Sequence, residues 1–207
     1  LTPQEIEKAG KEFALDRWRK VQSITNVRLV EPGTGRAIRA LQSNPNVRIL
    51  GLTARPLDLA YVTRRQLKDV SIFLDNKASA ISNMDINLSD ETDLNAKAGY
   101  EGGILYVGEN PKGKGANLLN LLKKTNQKPQ RIYFFDDREE NVKDLDAALA
   151  KAKLDGLDSF TSFWYQQLQA KVDKFNNPKE NDQKIADIQL KHFGIMSDDQ
   201  AEKLLKP

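Results

Sequence analysis

The chain has 207 residues, of which 39% are hydrophobic and 29% charged, with a formal charge of +3. That describes an ordinary soluble globular chain, long enough for one domain or one domain with a modest insertion. Lysines interleave with acids rather than forming the basic stripe that nucleic acid requires, and no apolar stretch reaches the roughly 20 residues of a membrane span. The absence of cysteine excludes disulfides, thiolate metal sites and thiol nucleophiles.

In chain order, residues 1–26 read as a helix opened by Thr2-Pro3-Gln4-Glu5, with Ile6, Phe13 and Trp18 supplying apolar groups. Asn26–Thr34 reads as a short strand and a turn. The helix that follows takes Ala37, Ile38 and Leu41 as its buried face and ends at Asn44-Pro45-Asn46. Val47–Leu52 is the first core strand, and the helix after Pro56 carries Leu59, Val62 and Leu67. The polar stretch 75–103 reads as an irregular loop or small insertion, and Gly102–Gly108 as a strand or hairpin arm. A helix from about Lys114 presents Leu118, Leu119 and Leu122. Ile132–Phe135 is the second core strand, Asp137–Lys153 a helix with Val142, Leu145, Leu149 and Ala152 inward, and Phe160–Tyr165 a further strand. The rest is helical, broken at Asn176-Asn177-Pro178 and near Gly194, with Ser197-Asp198-Asp199-Gln200 as a capping box. Alternating strands and helices predict an α/β fold, a parallel sheet covered on both faces. The organisation expected is a helical cap remnant at 1–26, a core at 27–165 and C-terminal helices at 166–207 packed on that core.

Two apolar runs stop abruptly at polar groups: Arg48–Pro56 at Thr53, and Arg131–Asn141 at Asp136-Asp137. In open α/β sheets ligands bind at the carboxyl ends of strands, so both tips point to one crevice. Adjacent carboxylates repel each other, and Mg²⁺ would resolve the conflict, since it takes one or two carboxylates with waters and a phosphate. One of the two is also explained as a helix cap; the pair is not. A threonine hydroxyl with its neighbouring N–H can hold a phosphoryl oxygen, although alone it reads as a strand-end residue. Arg55 could add positive charge. Lys112 and Lys114 flank Gly113 where a helix begins, a place that favours anions, although the phosphate-loop pattern of nucleotide hydrolases is absent. His192, the only histidine, lies on an amphipathic stretch and reads as a surface or packing residue. Trp18, Trp164 and Tyr165 read as core or rim, because no basic groove accompanies them.

These segments resemble the haloacid-dehalogenase-like superfamily of phosphohydrolases. Ile49–Thr53 (ILGLT) resembles its motif II, Lys112–Leu119 (KGKGANLL) contains a motif III lysine, and Ile132–Asp137 (IYFFDD) resembles motif IV. Val30–Thr34 fits the turn and helix that precede motif II. More narrowly, VRLVEPGT, LTARP, GILYVG, KGANLL and FFDDREEN, in this order, resemble a bacterial family within that superfamily of uncharacterised function, over about Val21–Tyr165. The resemblance implies a Rossmannoid parallel sheet with helices on both faces and a small helical cap. It implies that Thr53 binds a phosphoryl oxygen, that Lys114 (or Lys112) steadies the charge, and that Asp136 and Asp137 hold Mg²⁺. The implied function is phosphomonoester hydrolysis through an aspartyl-phosphate, on a phosphorylated small molecule or a phosphoprotein, in a soluble bacterial protein that is cytoplasmic or secreted. Dehalogenation is less favoured, and a catalytically inactive binding or effector module is the alternative.

The Asp-x-Asp strand that carries the family's nucleophile is missing before Thr53. Asp16, Asp85 and the Asp144-Leu145-Asp146 run all lack an apolar strand before them. In the family that strand lies between those placed here at Val47–Leu52 and Ile132–Phe135, and without it buried backbone groups would stay unpaired. The expectation is that a strand from outside these residues fills the position: an N-terminal strand of the same protein, upstream of Leu1, or a strand from another chain. Direct pairing of the two strands would refute it.

Overall fold

The fold was analysed in a computed structural model, which describes residues 3–89, 96–176, 180–192 and 198–205. The chain forms two compact units, one of Leu1–Val27 with Gln169–Pro207, the other of Arg28–Leu168. The first holds α1 (Pro3–Ile24), α6 (Gln169–Asn176), α7 (Glu180–Lys191) and α8 (Asp198–Leu205). Ile185 of α7 and Ala201 of α8 are buried, and these two helices pack together. His192 is exposed at the end of α7. The proposed cap residue Ser197 lies outside the described residues.

The second unit is mixed α/β. A four-stranded sheet has the order β1-β4-β3-β2, from β1 (Gly51–Thr53), β2 (Ile86–Asn87), β3 (Gly99–Glu101) and β4 (Ile104–Tyr106). Its β1 and β4 are parallel, whereas β3 runs antiparallel to both β4 and β2. A separate parallel pair is made by β5 (Arg131–Asp136) and β6 (Ser159–Trp164). The expected all-parallel sheet is therefore corrected to two sheets, one of them mixed. The stretch 75–103 is not simply a loop: it contributes β2 and β3, and Gly102-Gly103 turn the chain tightly into β4.

Alternation along β4 explains the layers, because successive side chains leave a strand on opposite faces. Ile104 and Tyr106 pack with Ala60, Leu57 and Leu67 on the side of α3 (Ala60–Asp69). Leu105 joins Leu118, Leu121 and Leu122 of α4 (Gly113–Lys124) on the other. The same cluster takes in Phe134 of β5 and Leu145 and Leu149 of α5 (Glu139–Ala152), so one core runs under both sheets.

Four further expectations are corrected. Asn26–Val30 makes no strand. In α2 (Thr34–Gln42) the buried residues are Gly35 and Gln42, while Ala37 and Leu41 are exposed. Backbone carbonyls decide that rotation: Gln42 Nε2 donates to Phe73 O at 2.6 Å and Arg39 Nη1 to Ser71 O at 3.2 Å. The third concerns β5, which is buried on one face only. Tyr133 (61% exposed) and Phe135 (63%) stand outward, with Phe135 stacked on Phe163 at 4.7 Å between ring centroids. The strand expected at Val47–Leu52 is shorter and later, because its partner β4 has only three residues to pair with.

Two measurements check this packing. A Cβ on Gly103 (φ +83°) would lie 1.9 Å from Leu74 O, whereas one on Gly156 (φ +80°) would meet nothing within 4 Å. Gly156→Ala should lose about 1–2 kcal/mol for its left-handed backbone. Gly103→Ala should lose about 1–3 kcal/mol more, for overpacking, in urea unfolding. Burial raises the phenol pKa of Tyr106, against the smaller opposing effect of a hydrogen bond with Thr63; its hydroxyl also donates to Ala60 O at 3.4 Å. A folded pKa above the unfolded value of about 10 gives stability that is complete below pH 10 and lost as pH rises further. Tyr106→Phe should therefore flatten the alkaline limb of a stability–pH curve.

Candidate functional site

Thr53, Lys114 and Asp136 all stand at the same end of the fold. Thr53 closes β1, and Val107, just past β4, donates its N–H to Thr53 O at 3.0 Å. The chain then turns through Asn110 into α4, whose second residue is Lys114. Lys114 Nζ donates to Asp136 Oδ2 at 2.5 Å, at the carboxyl end of β5. Because α4 starts beside the end of β4 and touches the end of β5, β5 runs in the same direction as β4 and β1.

Each part has a local cause. Lys114, Asn117, Leu118 and Leu121 share the buried face of α4 at helical spacing. Asn117 Nδ2 ties that face to Gly113 O at 2.6 Å and Asn110 Oδ1 at 3.2 Å, and Asn110 Oδ1 also accepts the Lys112 N–H. Lys112 itself is exposed, whereas Lys114 is buried against Asp136. Asp136 Oδ1 accepts the Arg138 N–H at 2.9 Å and Asn141 Nδ2 at 2.8 Å. The carboxylate thus has three donors, and both it and Lys114 are only 7% exposed. Asp137, one residue on, is exposed, with its carbonyl accepting Trp164 Nε1 at 3.2 Å.

The conflict between adjacent carboxylates is therefore resolved inside the protein. Asp136 turns inward to Lys114 and Asp137 turns outward. Mg²⁺ fits this set incompletely: Asp136 has its oxygens on Lys114, Arg138 and Asn141, and among the described residues no three His, Asp or Glu side chains converge on a point.

Thr53 Oγ1 accepts the Arg55 N–H at 3.1 Å, which leaves its own hydroxyl proton to donate. Arg55 points away from the tip. Its guanidinium donates to Gln66 Oε1 at 2.6 Å and Thr63 Oγ1 at 3.1 Å on α3, where burial lowers its pKa. Its carbonyl accepts the Gly108 N–H at 3.2 Å, so Arg55 braces the loop beside Thr53. Sequence reasoning assigned no role to Asn110, Asn117 or Asn141. The signal for Asn117 was a polar residue at apolar helical spacing; Asn141 had no local one.

A cavity of about 320 Å³ lies at the other end of β1, among Tyr61, Arg64, Lys68, Phe73 and Gly102. Arg64 is held there by Glu101 at 2.8 Å, and nearby Arg65 by Asp69 at 3.1 Å, so the cavity is not strongly cationic.

Residues 2–202 match the family described as "Protein of unknown function (DUF2608)". The chain belongs to that family. Neither the curated proteins nor the solved structures hold a match to it. Among the described residues no helix is long and apolar enough to cross a membrane.

The ion pair can be tested directly. Removing one partner of a buried pair costs about 3–5 kcal/mol, because the other charge stays buried. Lys114→Met should lose that much in urea unfolding. Adding Asp136→Asn to Lys114→Met should recover part of it, and strict additivity of the two single losses would show that the pair is not coupled.

Proposed function

We propose that the chain carries the phosphate-handling half of a haloacid-dehalogenase-like phosphomonoesterase, completed by a strand bearing an aspartate nucleophile. The observation that supports this reading most is the pair of open edges. Strand β1 ends one sheet and β5 ends the other, and they do not pair with each other. Both run in one direction over one core, and their tips hold Thr53 and Asp136 at the same end. An added strand entering between them would satisfy both rows of backbone groups and bring its own end to these residues. The preceding part of the same protein is the source proposed.

In this reading the Thr53 hydroxyl donates to a phosphoryl oxygen, and Lys114 lies between Asp136 and the incoming aspartate. Its ammonium offsets the negative charge that gathers when that aspartate attacks phosphorus. That attack breaks the ester P–O bond and expels the alcohol, which takes its proton from the second acid of the incoming Asp-x-Asp strand; water then hydrolyses the aspartyl-phosphate, giving a proton back to that acid, restoring the carboxylate and releasing phosphate. Arg55 serves the Thr53 loop rather than the substrate, and Lys112 stands at the rim. The Mg²⁺ that the resemblance implies would need the incoming carboxylate beside Asp136 and Asp137, and none of these steps is derived through it. The substrate class is a phosphomonoester, on a small molecule or a protein.

The test is release of phosphate from p-nitrophenyl phosphate, with and without Mg²⁺, by the chain carrying any residues that precede Leu1. Hydrolysis is expected, and Asp136→Asn should lower kcat/KM by about 10²-fold or more, the scale of losing one positioned electrostatic group. An Asp136→Asn protein as active as its parent would sink the assignment. Phosphate-ester binding without hydrolysis would favour the inactive binding module instead.

A further inference from the structure

We infer that Asp144 is the positioning residue for Lys114, and that α5 sets both halves of the buried ion pair. The first turn of α4 has no acid of its own, and its cap residue Lys112 makes no side-chain cap bond. A lysine in that turn opposes the helix dipole, which favours negative charge there. Asp144 of α5 supplies the missing acid from outside: its Oδ2 accepts the Gly115 N–H at 2.8 Å.

The glycines on either side of Lys114 make the contact feasible. A Cβ on Gly113 would lie 2.8 Å from Asp144 Oδ2, and one on Gly115 would lie 2.5 Å from Ala148 Cβ and 2.9 Å from Asp144 O. The backbone of Gly113-Lys114-Gly115 is thus pressed onto one turn of α5. That contact fixes the rotation of the α4 start, and with it the direction in which Lys114 leaves the helix.

Asn141 lies three residues before Asp144, on the same face of α5, and holds Asp136 Oδ1 at 2.8 Å. One helix face therefore aims Lys114 through the α4 backbone and holds Asp136 through its side chain. Asp146 belongs to a different contact, accepting the Ser162 hydroxyl at 2.6 Å on β6. The catalytic meaning of this alignment rests on the function proposed above, but the alignment itself does not.

The experiment follows the side-chain ammonium of Lys114 by NMR in the ¹⁵N-lysine-labelled chain, its signal assigned by loss in Lys114→Met. A buried, ion-paired ammonium exchanges its protons slowly and gives a resolved signal. Asp144→Asn keeps an acceptor for the Gly115 N–H and should keep that signal. Asp144→Ala should lose it while amide signals of the remaining core persist. Asp144→Glu, which moves the acceptor out by one methylene, should shift or weaken it, and this comparison with Asn decides the matter if the Ala protein does not fold. Asp146→Ala should leave it unchanged. A signal that survives in both Asp144→Ala and Asp144→Glu, or that disappears in Asp146→Ala, overturns the inference. An absence of phosphatase activity alongside the expected NMR pattern would sink the functional reading and leave the positioning role intact.

Discussion

The buried contact between Lys114 and Asp136 is the constraint around which the second unit is arranged. A charged side chain withdrawn from water must be paired and hydrogen-bonded, because the desolvation of each ion is costly. That requirement links α4 to β5 at the end where both tips converge. It also explains two buried polar residues that would otherwise be anomalies in a core, Asn110 and Asn117, and the half-buried Asn141, all engaged in holding one partner or the turn that carries it. The apolar cluster beneath gives most of the stabilisation without direction, whereas the ion pair sets which residues of the two sheets meet.

The two sheets differ in how they meet water. The four-stranded sheet has α3 on one face and α4 on the other, so Ile104, Leu105 and Tyr106 are all buried despite alternating sides. The β5–β6 pair packs only the face of Ile132, Phe134 and Phe160, leaving the Phe135–Phe163 stack on the open side. Its other open feature is the free edge of β5, which matches the free edge of β1 in direction. Among the described residues neither of these two edges has a strand partner, and such edges over one core are a liability in an isolated domain. On the proposed reading they are instead the two sides of a position for one more strand.

The parts of this arrangement that are local were legible in the sequence. Thr53 and Asp136 were found because an apolar run that stops at a polar group marks a strand end, and Lys114 because Gly-Lys-Gly before a leucine-rich stretch marks a helix start. The choice between Lys112 and Lys114 also has a local signature, since only Lys114 falls in phase with Leu118 and Leu121. What the sequence did not show was non-local. Nothing near Asp136 indicates that residue 114 is its ion-pair partner, a contact that the expectation of Mg²⁺ at the carboxylate pair did not include. The inward turn of Arg55 depends on Thr63 and Gln66, and the rotation of α2 depends on carbonyls some thirty residues away. Strands β2 and β3 escaped because a two- or three-residue strand has too few positions to show alternation.

Charge at the tips adds a last constraint on what the site can bind. Lys114 and Asp136 cancel each other, Asp137 contributes a further negative group nearby, and Asp144 already occupies the α4 N-terminus. Arg55 is directed to α3, leaving Thr53 to offer a hydroxyl and no charge. A phosphate dianion entering this set would find little net attraction, and an incoming aspartate would add repulsion at short range. Phosphate chemistry here therefore needs a further cation that arrives with the completed site, or a rearrangement that frees Lys114 from Asp136. The first is the role the family resemblance gives to Mg²⁺; the second would be opposed by the alignment that Asp144 and Asn141 impose.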